Sequence, residues 1–280
     1  MIAVICPVHD NVEKVAAQIK NYAGIHGQNA IHFLHPSIEG GEDFSQIKAQ
    51  YEIECEVVIC QDQWPTNYQC TVGAAISATR ELMEYSGDIS HVYYHSDGDL
   101  LVHGGFVDTI VSRNNGYASR TIDPQKHKQK RELADPRFRA IREEMGLQDS
   151  DIRVGRIEGC FFEFGVWQEM LDLISKYYSK EFLEKATHWP LEAGIFPTLA
   201  RKILDQEKSQ TRQLIRTKYV KPEKVTDHVR HMEHSHIQID DIIRERGHNK
   251  QNLCFGLKWF SPDLNHPARQ FLTKTLDDTG

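Results

Sequence analysis

Short apolar runs alternate with amphipathic stretches along the first hundred residues of the chain. The runs at 2–8, 30–35 and 55–60 are typical of buried strands, and the third is rich in β-branched residues. Between the first two lies NVEKVAAQIKNYAG, whose apolar residues share one face of a predicted helix that ends at Gly24. Repeated strand–helix units of this length predict an α/β protein with a mostly parallel sheet flanked by helices.

A further predicted strand, within HVYYHSDGD, ends abruptly in two carboxylates one residue apart, Asp97 and Asp99. Ligands of parallel α/β sheets bind at the carboxyl ends of the strands, which makes both residues candidates for a binding site. Two functions fit the pair: the carboxylates bind a metal that contacts a nucleotide diphosphate, or they accept hydrogen bonds from a sugar. A solvated turn is the alternative without function.

Beyond residue 115 the pattern is less regular. The polar stretch 121–147 contains two prolines and predicts a loop and a helix that cover the site. Two later stretches, 156–178 and 252–272, each predict a strand followed by a helix. We therefore expect a single domain over residues 1–280 with a C-terminal helical extension.

Composition places the chain among ordinary globular proteins. The six cysteines show no CxxC pairing, and several lie in apolar runs, which indicates reduced core residues and a cytoplasmic compartment. The chain passes from Met1 straight into an apolar run that is too short to cross a bilayer. No later segment reaches the roughly 18 apolar residues that a span needs, so we expect no transmembrane segment.

Charge is distributed unevenly along the chain. The net charge of −7 argues against indiscriminate binding to nucleic acid. Two segments nevertheless carry an excess of cations: 116–143 has eight Lys/Arg against four Asp/Glu, and 201–224 has eight against three. Such runs are usually solvated helix faces, and a groove for a polyanion is the alternative.

Several common site motifs are absent from the sequence. There is no GxGxxG after the first strand, no GxxxxGK[ST] and no GxSxG, which disfavours a Rossmann dinucleotide site, a P-loop and a nucleophile elbow. Four histidines, His228, His231, His234 and His236, fall within nine residues. A zinc site would need a cysteine or carboxylate to complete this set, and a solvated or partner-facing helix is the alternative.

Six stretches, in this order along the chain, resemble a family of glycosyltransferases. They are IAVICPVHDNVEKVAAQIKNYAG with AIHFLHPS, WPTNYQCTVGAAISATRELM, HVYYHSDGDLLVHGGFVDTIVSRNNG, GCFFEFGVWQEMLDLI, WPLEAGIFPTLARKI and NHPARQFL. The ordered set is similar to the core-2/I-branching β-1,6-N-acetylglucosaminyltransferases and the related peptide xylosyltransferases. The resemblance implies an inverting enzyme with a GT-A-like fold, in which 1–115 binds the nucleotide sugar and 116–280 binds the acceptor and carries the catalytic base.

The resemblance assigns Glu192 as the catalytic base. Inverting transfer needs a carboxylate that takes the proton from an acceptor hydroxyl as it attacks the anomeric carbon. A carboxylate that merely stabilises a helix N-terminus is the alternative for Glu192. Arg269 matches the basic motif that neutralises the departing diphosphate, with Lys258 or Lys274 as helpers. The sequence departs from the family at Gln270, where a lysine is expected, and at His35 and Pro36, where the family has an acid.

The resemblance extends to further site residues. Those assigned to the nucleotide sugar are Val8, His9, Trp64, Ser96, Asp97, Asp99, Lys258 and Arg269. Those assigned to the acceptor are Gly159, Trp189, Lys128, Arg131 and Arg216. The family requires no cofactor and works without a metal. The Asp97-x-Asp99 pattern nevertheless leaves the binding of Mg²⁺ or Mn²⁺ as an alternative.

The implied reaction moves a hexose from a UDP-sugar, with UDP-glucose as one donor, to a sugar hydroxyl in a β-1,6 linkage. The sequence also resembles phage β-glucosyl-hydroxymethylcytosine glucosyltransferases, which are of about this size and add glucose to glucose already on DNA. The favoured acceptor is therefore glucose on hydroxymethylcytosine in phage DNA, within the host cytoplasm, and the basic segments suit a duplex backbone. The alternatives are an oligosaccharide of a bacterial surface glycan precursor and a non-enzymatic nucleotide- or glycan-binding module.

Overall fold

A five-stranded sheet forms the centre of the protein, which we describe from a computed structural model. The described residues are 1–66, 70–122, 134–184, 191–204, 214–217, 236–247 and 254–277. The strands of the central sheet are β1 (Ile2–Val8), β2 (Ala30–Pro36), β3 (Glu56–Ile59), β4 (His91–Tyr94) and β8 (Cys160–Glu163). Their order is β3-β2-β1-β4-β8, in which only β8 runs antiparallel to its neighbour. The mostly parallel sheet predicted from the sequence is confirmed.

Helices cover both faces of this sheet, which explains why β1, β2 and β4 are buried along their whole lengths. The helices are α1 (Val12–His26), α2 (Ile47–Gln50), α3 (Val72–Glu84), α4 (Phe106–Arg113), α5 (Pro136–Glu144), α6 (Phe164–Tyr177), α7 (Lys180–Glu184), α8 (Glu192–Ile203), α9 (Ile239–Arg246) and α10 (Pro267–Asp277). One predicted boundary is wrong: α1 continues past Gly24 and ends at His26. Gly27, at φ 59°, caps it with an N–H bond to the carbonyl of Ala23.

Two small sheets complete the described fold. β5 (Asp99–Leu101), β10 (Gly256–Lys258) and β9 (Ile215–Thr217) form one, in the order β5-β10-β9. β6 (Arg120–Thr121) pairs with β7 (Arg153–Val154) in the other. The antiparallel register of β10 places Lys258 opposite Asp99, so the C-terminal part of the chain joins the turn that follows β4.

The C-terminal helices pack on that small sheet through their own apolar cluster. Ile242 of α9 and Ala268 and Leu272 of α10 are buried in one cluster with Leu100 and Leu257. The predicted C-terminal helical extension corresponds to these two helices. The single domain over residues 1–280 and its division at residue 115 stay predictions, although the central sheet draws strands from both halves.

The six cysteines all lie in the described part of the chain, where they are buried and form no disulfide, as the sequence predicted. Among the described residues, none of the helices has both the length and the apolar character needed to cross a bilayer.

Gly159 joins the central sheet to the small sheet. Its N–H donates to the carbonyl of Tyr94 at 2.7 Å, and its carbonyl accepts from the N–H of Leu214 at 3.0 Å. The residue has a φ of 85°, and a Cβ atom there would lie 2.7 Å from the backbone nitrogen of Ile215. Only glycine meets both constraints, because any side chain would strain the backbone and separate the two sheets.

We expect Gly159→Ala to lower the free energy of unfolding by about 3 kcal/mol, from the positive φ and the backbone clash together. Urea denaturation of the wild type and the variant measures this difference. Gly165→Ala is the matched control, since Gly165 lies in α6, has no atom within 4 Å of an added Cβ and does not have a positive φ. Equal unfolding free energies for the two variants would show that Gly159 is not a structural requirement.

Candidate active site

Polar residues gather where β1 and β4 end. The two strands are parallel neighbours, so His9 and the segment from His95 to Asp97 leave the sheet at the same edge. The N–H of His95 donates to the carbonyl of Ile5 at 3.1 Å, which continues the ladder by one residue beyond β4. This edge, called the carboxyl edge below, is where the sequence placed Asp97 and Asp99.

Asp99 is fully buried at the carboxyl edge. Its Oδ2 accepts from the backbone N–H of Ser96 at 3.0 Å, and its Oδ1 has no hydrogen-bond partner among the described residues. Burial raises the pKa of Asp99 to about 6, and the nearby ammonium of Lys258 opposes that rise. The carboxyl group is therefore held in a position where ionisation is costly.

Lys258 connects the C-terminal sheet to this carboxylate. Its ammonium donates to Oγ of Ser96 at 3.1 Å and forms an ion pair with the Glu158 carboxylate. Burial lowers the pKa of Lys258, but the charges of Glu158 and Asp99 outweigh that effect and the net shift is upward. Burial likewise raises the pKa of Glu158, and Lys258 reverses the shift so that the net pKa is lowered. The lysine and the glutamate thus keep each other charged.

Asp97 faces two further cations. Its Oδ2 lies 2.9 Å from the ammonium of Lys14, which comes from the first turn of α1. Arg269 is only 5% exposed, and burial lowers its pKa to about 10, while the negative charges of Asp97 and Asp263 oppose that shift. Nε of Arg269 donates to the carbonyl of Ser261 at 2.5 Å, which fixes the guanidinium near the carboxyl edge.

Glu192 reaches the same edge from α8. It is 8% exposed, and its Oε2 accepts from the backbone N–H of Thr71 at 3.2 Å. The Tyr94 hydroxyl donates to the carbonyl of Thr71 at 3.3 Å. Burial raises the pKa of Tyr94, and the charges of Glu192 and Glu158 add to this rise, so both carboxylates lie near the end of β4.

Pro197 explains how α8 is fixed with Glu192 at its start. In a regular helix the N–H of residue 197 would donate to the carbonyl of Ala193, but proline has no N–H. The carbonyl of Ala193 instead accepts from the N–H of Gly155 at 2.8 Å. Thr198 adds two bonds to Arg153, with its Oγ1 accepting from the backbone N–H and donating to the carbonyl. The helix is thereby tied to the segment that leads into Glu158.

Several other predicted site residues have mainly structural surroundings. Trp64 is 4% exposed in the main core, and its Nε1 donates to Asp62 at 2.6 Å. Its contacts match an ordinary core tryptophan rather than a sugar-stacking one. Val8 is the buried last residue of β1, and its carbonyl accepts from the N–H of Ser37 at 2.8 Å. Lys274, named as a possible helper, is exposed near the end of α10.

Part of the predicted acceptor site lies outside the described residues. This applies to Trp189, Lys128 and Arg131. Three of the four histidines considered for a zinc site, His228, His231 and His234, also lie outside the described residues. Arg216 lies in β9, and its side chain is likewise not described. The fourth histidine, His236, has its ring 6.4 Å from the ring of His266. These assignments stay predictions.

Two site residues were missed by sequence reasoning, Lys14 and Glu158. Lys14 lies in the first turn of the helix after β1, and such helices begin at the carboxyl edge of a parallel sheet. That position was available from the sequence as a signal. Glu158 precedes Gly159 and approaches Lys258 from 100 positions away along the chain, a contact that no local pattern encodes.

The described residues do not fit the Mg²⁺ or Mn²⁺ site that the sequence left as a possibility at Asp97 and Asp99. None of the His, Cys, Asp and Glu residues in the described ranges form a group of three that could hold a metal. Asp97 faces Lys14, and Asp99 lies beside Lys258, so cations already balance these carboxylates. A divalent ion would have to compete with both lysines.

A cavity of about 560 Å³ lies elsewhere, at the opposite end of α8 from Glu192. Residues of α5, α6 and α8 line it, among them Glu144, Gln168 and Lys202. None of the carboxyl-edge residues contributes to its wall.

No protein-family model matches the chain, and no curated protein matches it. A structure of an active-site mutant of LgtC matches with 10% identity over 100% of this chain and 96% of that one, at a TM-score of 0.44. A structure of galactosyltransferase LgtC in complex with donor and acceptor sugar analogs matches with 11% identity over 99% of this chain and 96% of that one, at a TM-score of 0.42. At this level of similarity, neither structure indicates what this chain binds or does.

The raised pKa of Asp99 predicts a pH-dependent cost to stability. The folded pKa of about 6 exceeds the ordinary value of 3.8, so the folded state binds more protons between these two values. Stability is therefore lost as the pH rises from about 4 through about 6. We expect Asp99→Asn to raise the free energy of unfolding at pH 8 by up to about 3 kcal/mol and to change it little at pH 4.

Urea denaturation at both pH values measures this effect. Asp97→Asn serves as the control, because it breaks the ion pair with Lys14 and should not stabilise the protein at either pH. A D99N variant with the same pH dependence as the wild type would contradict the assignment of this cost to Asp99.

Proposed function

We propose that this chain is an inverting glycosyltransferase that moves a hexose from a UDP-sugar to a hydroxyl group of an acceptor sugar. The observation that carries the proposal is the arrangement of charges around the end of β4. The ammonium of Lys258 donates to Ser96, two residues beyond the end of β4. The carboxylate of Glu192 accepts from the N–H of Thr71, whose carbonyl accepts from the Tyr94 hydroxyl. A partly buried cation and a separate carboxylate thus contact one short stretch of the carboxyl edge.

Glu192 is the proposed base. Its carboxylate takes the proton of the acceptor hydroxyl while the hydroxyl oxygen attacks the anomeric carbon of the donor hexose. The bond from that carbon to the β-phosphate oxygen breaks, UDP leaves with the bonding electrons, and the anomeric configuration inverts. Glu192 is the first residue of α8, so its carboxylate lies at the N-terminus of that helix.

Basic side chains are the proposed partners of the diphosphate. Arg269 is buried and Lys258 partly buried near the carboxyl edge, and Lys14 adds a third positive charge beside Asp97. A diphosphate that enters would gain charge-assisted hydrogen bonds in a site with little access to water. These cations neutralise the negative charge of the leaving group, so the proposed reaction needs no divalent ion.

The resemblance of the sequence to the β-1,6-N-acetylglucosaminyltransferases supports the same assignments. It singled out Glu192 and Arg269 independently of the three-dimensional arrangement. The mostly parallel sheet, with its site at the carboxyl ends of β1 and β4, fits the GT-A-like fold that the resemblance implies.

For the acceptor, we propose glucose on hydroxymethylcytosine in phage DNA, joined through a β-1,6 linkage. Support comes from the basic segments 116–143 and 201–224 and from the resemblance to the phage enzymes. In the described part of the first segment, Arg139 is exposed, whereas Arg142 pairs with Asp149. An oligosaccharide acceptor and a non-enzymatic binding module are the alternatives that the experiments below distinguish.

Glu192→Gln should abolish transfer while keeping the binding of the nucleotide sugar, since the amide fills the same space but takes up no proton. We expect the rate of radiolabelled hexose transfer to fall at least about a thousandfold, with UDP-glucose affinity within about twofold of wild type. UDP-glucose and UDP-N-acetylglucosamine are offered with glucosylated DNA and with mixed oligosaccharides, with and without EDTA.

Full transfer by the E192Q variant would remove Glu192 as the base. Loss of activity in EDTA that added Mg²⁺ or Mn²⁺ restores would overturn the metal-free assignment. A wild-type protein that binds UDP-glucose but transfers nothing to any acceptor would favour the binding module.

The DNA acceptor predicts strongly salt-dependent binding, because each phosphate contact releases a counterion. Replacing Lys126 and Lys128 by glutamate should lower the affinity for glucosylated duplex DNA at least about tenfold at low salt and flatten its salt dependence. Replacing Lys20 and Lys48, two exposed lysines outside the basic segments, by glutamate changes the net charge equally and serves as the control. Equal losses in both pairs, or transfer of label only to oligosaccharide, would contradict the DNA acceptor.

A further inference from the structure

Trp259 has a backbone conformation that is unusual for a large residue. It directly follows Lys258 and has a φ of 77°, in the left-handed region that non-glycine residues seldom occupy. Such a conformation costs free energy, and it persists only where surrounding contacts enforce it. The contacts that enforce it here come from the carboxyl edge.

The backbone around Trp259 is fixed on the turn between Asp97 and Asp99. The N–H groups of Trp259 and Phe260 both donate to the carbonyl of Gly98, at 3.2 Å and 3.3 Å. The carbonyl of Trp259 accepts from the N–H of Ile237 at 3.0 Å. The strained residue is therefore part of the same unit as the two carboxylates.

The indole ring of Trp259 is not used for core packing. It belongs to none of the apolar clusters that the described residues form, although its neighbours Leu257 and Phe260 do. Trp64 and Trp167 are buried in the main core, whereas Trp259 is partly exposed. A strained backbone that leaves a large aromatic ring accessible to solvent has no evident advantage for folding.

Arg156 lies over this ring. Its guanidinium carbon is 5.7 Å from the ring centroid of Trp259, and the residue itself is exposed. Arg156 precedes by two positions Glu158, which pairs with Lys258. The guanidinium and the partly exposed ring thus lie together at the solvent boundary of the site.

We propose that Trp259 and Arg156 form a subsite for a hexopyranose ring. A pyranose has a face of C–H groups that packs on an aromatic ring, and a rim of hydroxyls that accept hydrogen bonds from a guanidinium. The inference rests on the proposed function for its place in catalysis, since the ring that stacks is either the donor hexose or the acceptor sugar. Lys258, adjacent to Trp259, positions the diphosphate so that both sugars come within reach of this side of the carboxyl edge.

The test uses Trp259→Gly, Trp259→Ala and Trp259→Phe in the full chain. Glycine adopts a positive φ without strain, so W259G should be at least as stable as W259A in thermal unfolding. If the donor hexose stacks on Trp259, calorimetry of W259G should show at least about a tenfold loss of affinity for UDP-glucose and an unchanged affinity for UDP. If the acceptor sugar stacks there instead, KM for methyl β-D-glucopyranoside or glucosylated DNA should rise at least about tenfold, and KM for UDP-glucose should not change. W259F keeps an aromatic ring, so it should retain most of the affinity for UDP-glucose that W259G loses, or keep the acceptor KM close to the wild-type value.

Arg156→Gln should weaken the binding of the same sugar, donor or acceptor, that W259G weakens. Arg80→Gln is its matched control. Arg80 lies 5.0 Å from the ring centroid of Trp64, the other cation–tryptophan pair among the described residues, and its ion pair is with Asp62. R80Q should change the binding of neither sugar.

The outcomes separate the two proposals. If wild type binds UDP-glucose and W259G matches wild type in both measurements, the subsite is overturned and the proposed function stands. If wild type binds no UDP-sugar, the proposed function fails, and calorimetry with methyl β-D-glucopyranoside decides the subsite alone. Glucoside binding that W259G abolishes then supports it, and no glucoside binding overturns it.

Discussion

The arrangement of the site depends on one partly buried ammonium group. Lys258 forms an ion pair with Glu158 and lies opposite Asp99, and its charge lowers the pKa of both carboxylates. Without it, two negative charges would remain in a poorly solvated region, which is strongly unfavourable. The same residue is held in β10 opposite Asp99 by main-chain pairing, so the charge and the backbone fix each other. The C-terminal part of the chain is thus attached to the turn after β4 by the interaction that prepares the site for an anion.

The charges along the carboxyl edge are arranged before any ligand arrives. Arg269 is buried near Asp97, and Asp97 already pairs with Lys14. A site built this way spends folding free energy on charge placement, and in return the groups need little rearrangement when a transition state develops. The fully buried carboxyl of Asp99 and the positive φ of Trp259 are two separate instances of such local cost.

Sequence reasoning recovered the parts of this molecule that repeat locally. The early strands and α1 follow from hydrophobic periodicity, and the Asp97–Asp99 pair was recognised because it ends an apolar run. The end of α1 was misplaced because Gly24 resembles a stop, whereas the left-handed cap falls on Gly27. The ion pair between Lys258 and Glu158 was out of reach, since its partners come from distant segments that only the folded chain brings together. The burial of Trp64 in the main core was likewise not evident from the sequence, and its assignment to the nucleotide sugar stays a prediction.

Pro197 has a consequence for how the protein opens. Because Pro197 has no N–H, the carbonyl of Ala193 lacks its usual donor within the helix, and the N–H of Gly155 takes that donor's place. Thr198 and Arg153 reinforce the same junction. The start of α8 and the segment before β8 therefore gain their hydrogen bonds together and lose them together, as one cooperative unit of local unfolding. Because Glu192 and Glu158 lie on the two sides of that junction, a fluctuation that exposes one exposes the other, and partly assembled states of the site are disfavoured.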